Sequence, residues 1–197
     1  MYRLHGRVRS RTMRPLWLLE ELGVPYDYVS VMPRSPEASA LSPLAKVPIL
    51  EAEGGVILDS VAQMAYLSDR HAAFTHAPGT LDRARQDAFA NAVLEMLDAP
   101  LWAIAQHSFG LPEDRRVEAA KPTFKWQVSE NSGALARLMD GAFAVGDAPT
   151  VVDILLAHCA GWARGLKLDL APAILDHLRR MRDRPAFARA MRWEETQ

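Results

Sequence analysis

At 197 residues, 49% hydrophobic and 24% charged, the chain is long enough to bury one core or two small ones. Its formal charge of −1 excludes the basic surplus of a nucleic-acid binder, and its six histidines include no pair at metal-ligand spacing, so no metal site is expected. The single cysteine, Cys159, excludes an intrachain disulfide and agrees with a reducing, cytoplasmic setting.

The opening MYRLHG has strand character and lacks the apolar core of a secretion signal, and no run is expected to approach the ~18 apolar residues of a membrane span. Tyr2 to His5 reads as a strand. The apolar run from Met13 to Leu22 reads as a helix, stopped by Gly23 at the position after the helix end that favours a left-handed residue. Tyr26 to Val31 alternates as a second strand. A polar loop rich in Pro and Ser follows. VPILEAEGGVIL then holds two short strands about a Gly54-Gly55 turn, and DSVAQMAYLSDRH continues as a helix with Ser60 and Gln63 at capping-box spacing. The order β-α-β, loop, β-β-α over residues 1–72 is that of a small α/β domain.

HAAFTHAPGTLD is a linker, and every later signal is helical. One helix is predicted from Leu81 to Gln106 with a kink at Pro100, and a second from Arg115 to Asp140, disturbed near Pro122. A third starts at Thr150, which with Asp153 forms a T-x-x-D cap, and two shorter ones occupy Ala173 to Arg182 and the residues after Pro185. The arginines between Arg179 and Arg192 alternate with apolar residues and read as a solvated helical face. The second domain, 82–197, is therefore all-helical.

Pro15 bears on where the first helix starts. A proline costs no backbone hydrogen bond only in the first helical turn. With Thr12 as the cap, Pro15 is the third helical residue; with Ser10 as the cap it is the fifth. Thr12 is the better cap on this reading, and Ser10 falls in the turn before it.

Four stretches together, SRTMRPLWLLEELGVPY, LSPLAKVPIL, ILDSVAQMAYL and GDAPTVVDILLAH, resemble the soluble glutathione transferase family in their order and spacing. The resemblance implies a thioredoxin-like domain joined to a helical one, a homodimer, glutathione as co-substrate with no metal, and a small electrophile as second substrate. It implies that Ser10 donates a hydrogen bond to the glutathione sulfur, with Arg11 or Arg14 adding positive potential and Thr12 as the rival for the role. It places Asp59 and Ser60 at the glutamyl end of the tripeptide, the Val47 backbone before a cis Pro48 beside its cysteinyl part, and Lys46 at its glycyl carboxylate. Ala45 stands where the family has glycine, a departure that matters only if this residue needs positive φ. Peroxidase or isomerase activity on the same site, and a non-catalytic glutathione-binding or regulatory protein, are the competing expectations. A family cysteine at the position of Ser10 is absent, which disfavours disulfide chemistry. Trp102 and Phe109 are candidates for the wall of the electrophile site, although aromatics at such positions are more often core.

Overall fold

The structure is a computed structural model in which residues 1–193 are described. The chain divides into two compact units, Met1–Ala77 with the segment that begins at Arg182, and Pro78–Met181.

The first unit is built on a four-stranded sheet in the order β2-β1-β3-β4. Strand β1 (Tyr2–Gly6) pairs in parallel with β2 (Tyr26–Ser30) and antiparallel with β3 (Ile49–Ala52), which forms a hairpin with β4 (Gly55–Leu58). Leu4 and Leu50 face one another across β1 and β3 and are fully buried, as are Leu16 and Leu19 of helix α1 (Met13–Leu22) and Met64 and Leu67 of α3 (Ser60–His71). Ile49 instead clusters with Val31 and with Ala38 of α2 (Pro36–Leu41). This is a thioredoxin-like fold.

In this unit the predicted strands and helices are present, with two adjustments. The Pro/Ser loop contains α2, a six-residue helix with Pro36 in its first turn and the Ser35 side chain accepting from the Ala38 N–H. The hairpin turns on Glu53 and Gly54, at φ 51° and 79°, one residue earlier than expected. Gly23 ends α1 at φ 63° with its N–H on the Leu19 carbonyl, as its position implies.

The largest difference lies at the C-terminal end. Helix α9 (Pro185–Arg192) packs on α1 within the first unit, not within the helical domain predicted over 82–197; the last four positions of that range lie outside the described residues. Trp17 of α1 is 1% exposed and stacks at a tilt on Phe187, ring centroids 4.8 Å apart. Arg184 grips Glu21 with two hydrogen bonds of 2.6 and 2.8 Å, and Arg189 meets Glu20 at 2.8 Å. These two arginines are therefore anchors on α1, which corrects the reading of this stretch as a wholly solvated face.

The second unit is helical. Helix α4 (Leu81–Val93) runs through a widened turn at Leu94–Asp98 into α5 (Ala99–Ala105), and helical backbone continues to Gly110. Over Leu81–Gly110 the helix is 30 residues long, with a mean hydropathy of 1.3 in its most apolar 18-residue window, so by length and composition it could cross a membrane. This overturns the expectation that no such run exists. Half of that window is buried, however, as in the core helix of a globular unit. Phe89, Val93 and Leu97 are consumed by the core, which removes most of the apolar excess that would otherwise argue for a dimer face here.

Pro100 has no N–H to donate to the Met96 carbonyl four residues back. The Asn131 side-chain amide takes that place, donating to Met96 O at 2.8 Å from α6 (Lys121–Leu138). Helix α6 starts six residues later than expected, because Pro122 fits its first turn, and residues 113–120 form two short 3₁₀ turns instead.

At α7 (Val151–Gly165) the predicted capping box forms, Asp153 Oδ2 accepting from the Thr150 N–H at 2.7 Å. The second Asp153 oxygen accepts from the Ala144 N–H and from His177 Nε2 of α8 (Pro172–Arg182), at 2.7 and 2.8 Å, in a fully buried node that spacing does not disclose.

Replacing Asn131 by leucine should leave the Met96 carbonyl without its amide partner and lower stability by about 1–2 kcal/mol. Urea unfolding measures this, and an unchanged midpoint would mean that water replaces the amide at no cost.

Candidate functional site

The topology brings four connections to one end of the sheet. Strands β1, β2 and β4 run towards it and β3 runs away, so the turn after Gly6, the loop after Ser30, the loop before Ile49 and the start of α3 all meet there. These connections carry all the residues singled out for glutathione.

Ser10 lies in the wide turn Val8–Thr12 with an extended backbone, φ −146° and ψ −173°. Its hydroxyl accepts from the Thr12 N–H at 3.1 Å and lies 2.7 Å from the Arg7 carbonyl and 2.9 Å from Thr12 Oγ1. Its one proton can serve either of those oxygens but not both. Extended geometry with a side chain accepting two residues on is that of a helix cap. Thr12 is already helical, at φ −59° and ψ −29°, and makes no capping bond through its side chain. The assignment of capping to Thr12 is thus corrected: Ser10 caps, and Met13 closes the turn with its N–H towards the Ser10 and Arg11 carbonyls. Thr12 is fully buried, and a Cβ added to Gly6, at φ +151°, would lie 2.0 Å from its hydroxyl oxygen. That close approach of strand end to helix start leaves no room for a side chain at position 6. Arg11 is half-buried in the same turn.

One helical turn on, Arg14 is 1% exposed and donates through Nη1 to Ser60 Oγ at 3.2 Å. A buried guanidinium thus joins the start of α1 to the start of α3. Ser60 does not cap α3. Asp59 does, accepting from the Val61 and Ala62 N–H groups at 2.8 and 3.1 Å. The capping box read from Ser60 and Gln63 is therefore absent. The Gln63 amide instead donates to the Pro48 and Ile57 carbonyls, at 3.0 and 2.8 Å, tying α3 to β4 and to the residue just before β3. Asp59 adopts φ 72° and ψ 129°, a conformation that costs a non-glycine residue about 1–3 kcal/mol and is concentrated at ligand sites.

The Val47-Pro48 peptide is cis, and Lys46 before it is exposed. Among the described residues no hydrogen bond to the Val47 backbone is seen, so its N–H and C=O can receive an extended peptide. Ala45 has φ 48°, so its replacement of the family glycine is a strained one, not a neutral one.

Two stability tests follow from this geometry. Ala45→Gly should raise stability by about 0.5–1 kcal/mol, the left-handed penalty of alanine less the added freedom of the unfolded glycine. Ser10→Ala should lower it by about 1 kcal/mol through the lost cap. Both are read by denaturant midpoint, and a lower midpoint for Ala45→Gly would show that the loop relaxes around the alanine.

A family profile described as the glutathione S-transferase N-terminal domain matches residues 10–70. A maleylacetoacetate isomerase of Rhizobium meliloti is 30% identical over 177 residues, covering 85% of this chain and 82% of the relative. Among solved structures, a glutathione transferase of Phanerochaete chrysosporium with oxidized glutathione superposes with a TM-score of 0.86 at 21% identity, covering 99% of this chain and 95% of that one. A glutathione transferase of Methylococcus capsulatus superposes with a TM-score of 0.85 at 23% identity over the whole of both chains.

Proposed function

The chain belongs to the glutathione S-transferase family, and on that premise we propose that it is a glutathione transferase that activates the glutathione thiol at Ser10 for attack on a small electrophile. The observation that carries this reading is the Arg14–Ser60 bond, which links the starts of α1 and α3 at the end of the sheet where the topology has brought them. A helix start is the positive end of a dipole and favours anions, and at α3 the Asp59 carboxylate already takes the Val61 and Ala62 N–H groups.

Glutathione has a carboxylate at each end and a thiol whose anion is the nucleophile. The glutamyl carboxylate would meet the α3 start at Asp59 and Ser60, and the glycyl carboxylate would meet Lys46. The cysteinyl backbone would pair with Val47 beside Pro48. The sulfur would then face Ser10, whose proton swings from the Arg7 carbonyl to the thiolate while its lone pair keeps the Thr12 N–H. Arg11 contributes positive potential in that turn. The thiol proton goes to water, and the sulfur pair forms the new bond to carbon as the displaced group leaves with its own pair.

A second reading, isomerase activity on the same site, is favoured by the maleylacetoacetate isomerase among its relatives. The same thiolate would add to a double bond and depart again. In either case the protein acts in the cytoplasm as a homodimer without a metal or nucleic acid, and Cys159, buried and unbridged, suits that compartment.

With a neutral electrophile, Ser10→Ala should lower kcat/KM about tenfold or more at neutral pH, because one hydrogen bond and a helix start favour the thiolate on that scale. The deficit should shrink as pH approaches the free-thiol pKa, where solution supplies thiolate. A Ser10→Ala enzyme with full activity at neutral pH would show that the hydroxyl serves only as the cap.

A further inference from the structure

The end of β1 that leads into the Ser10 turn is held by more than strand pairing. The Gly6 carbonyl accepts the Val31 N–H at 3.1 Å, which continues the pairing of β1 and β2 by one residue, and it also accepts the Tyr28 hydroxyl at 2.8 Å. One donor already satisfies a strand carbonyl, so pairing does not call for the second bond. Tyr28 is itself backed: its ring lies 5.2 Å from that of Trp193, centroid to centroid, and the indole N–H donates to the Tyr26 hydroxyl at 2.9 Å. Tyr26 donates in turn to Glu20, the carboxylate that Arg189 meets. The phenol on Gly6 is therefore supported by the segment that returns to α1.

Gly6 stands one residue from the group that shares the Ser10 proton. Thr12 packs against its Cα and Tyr28 holds its oxygen, so the peptide between Gly6 and Arg7 is restrained on two sides. The carbonyl that follows, that of Arg7, lies 2.7 Å from Ser10 Oγ and competes with a thiolate for the single hydroxyl proton. Were that peptide free to rotate, the Arg7 carbonyl could follow the hydroxyl and keep the proton. Held at the adjacent carbonyl, it stays where the hydroxyl can leave it for sulfur, and donors fixed before charge develops are the effective ones.

We propose that Tyr28 is a positioning residue for this reaction: by holding the Gly6 carbonyl, its hydroxyl sets the turn in which Ser10 meets the glutathione sulfur, and so favours the thiolate through Ser10 without touching it. The proposal rests on the glutathione reading of Ser10 given above. It holds for transfer and for isomerisation alike, because both begin with the same thiolate.

The test does not require turnover. The thiol pKa of glutathione bound to the full-length protein is read from the ultraviolet absorbance of the thiolate as pH is raised, for the native protein, Ser10→Ala, Tyr28→Phe and the double variant. Calorimetry measures glutathione binding by each at a pH low enough for the ligand to enter as the thiol. Phenylalanine keeps the ring on Trp193 and leaves the Gly6 carbonyl its Val31 N–H, so Tyr28→Phe should fold and bind glutathione with unchanged affinity at that pH. Its bound thiol pKa should rise by about half a unit to one unit, the scale of one intramolecular hydrogen bond. In the Ser10→Ala background the same substitution should add nothing, because two residues that act through one group are not additive. An unchanged pKa in Tyr28→Phe, while Ser10→Ala raises it, would overturn the proposal and leave the reading of Ser10 in place. A full further rise in the double variant would also overturn it, since Tyr28 would then act independently of Ser10. So would loss of glutathione binding in Tyr28→Phe, which would give the hydroxyl a role in the whole site instead of in the turn. No glutathione binding by the native protein, or no rise in Ser10→Ala, would instead remove the reading on which the proposal stands, and the proposal with it.

Discussion

A buried arginine organises the first unit. The Arg14 guanidinium is inaccessible to water, and a charge in that state is tolerated only when its donors are satisfied. Its bond to Ser60 therefore constrains two helices together: α1 cannot shift along the sheet without stranding the guanidinium, and α3 cannot withdraw without losing the serine. The strands converge by topology, but this bond fixes the spacing of the two helix starts. Gly6 secures the same region from below, since only a residue without Cβ lets Thr12 press against the end of β1.

Local strain is collected in the same place. Asp59 and Ala45 both have positive φ without being glycine, and both stand on connections at the Ser10 end of the sheet. Asp59 recovers part of its cost through two capping bonds to α3. Ala45 donates its N–H to the Ser42 carbonyl and accepts from the Arg34 N–H, at 2.9 and 2.7 Å, so that two otherwise separate loops are joined. The backbone is thereby held ready before any ligand arrives, which reduces the ordering that binding would otherwise require.

The elements that could be read from the sequence were those set by short-range rules. Gly23 ends its helix, Thr150 and Asp153 cap theirs, and the alternation of Tyr26 to Ser30 makes a strand, each from information within a few residues. The motifs around Ser10, Val47-Pro48 and Asp59-Ser60 are compact in sequence, and the fold brings the connections that carry them to one end of the sheet. What was missed depends on partners distant in sequence. Whether Ser10 or Thr12 caps was argued from Pro15 alone, but Gly6 draws Thr12 into the core and so leaves the capping geometry to Ser10. Gln63 looked like half of a capping box, yet two backbone carbonyls 15 and 6 residues away claim its amide. His177 meets Asp153 across 24 residues, and Arg184 meets Glu21 across 163. No periodicity encodes such pairs.

The return of α9 to the first unit affects the order in which the protein can be completed. A ribosome releases the N-terminal residues first, and a domain contiguous in sequence could fold while the remainder is still being made. This one cannot finish. Until residues 184–192 emerge, Trp17 lacks the ring of Phe187, and Glu20 and Glu21 lack the guanidinium partners that meet them in the native state. The helix that starts at the candidate thiol site is the same one left incomplete, so the earliest-made part of the molecule is among the last to reach its final form. A nascent chain stalled after the helical unit would accordingly present an exposed apolar stripe on α1, the kind of surface that chaperones bind.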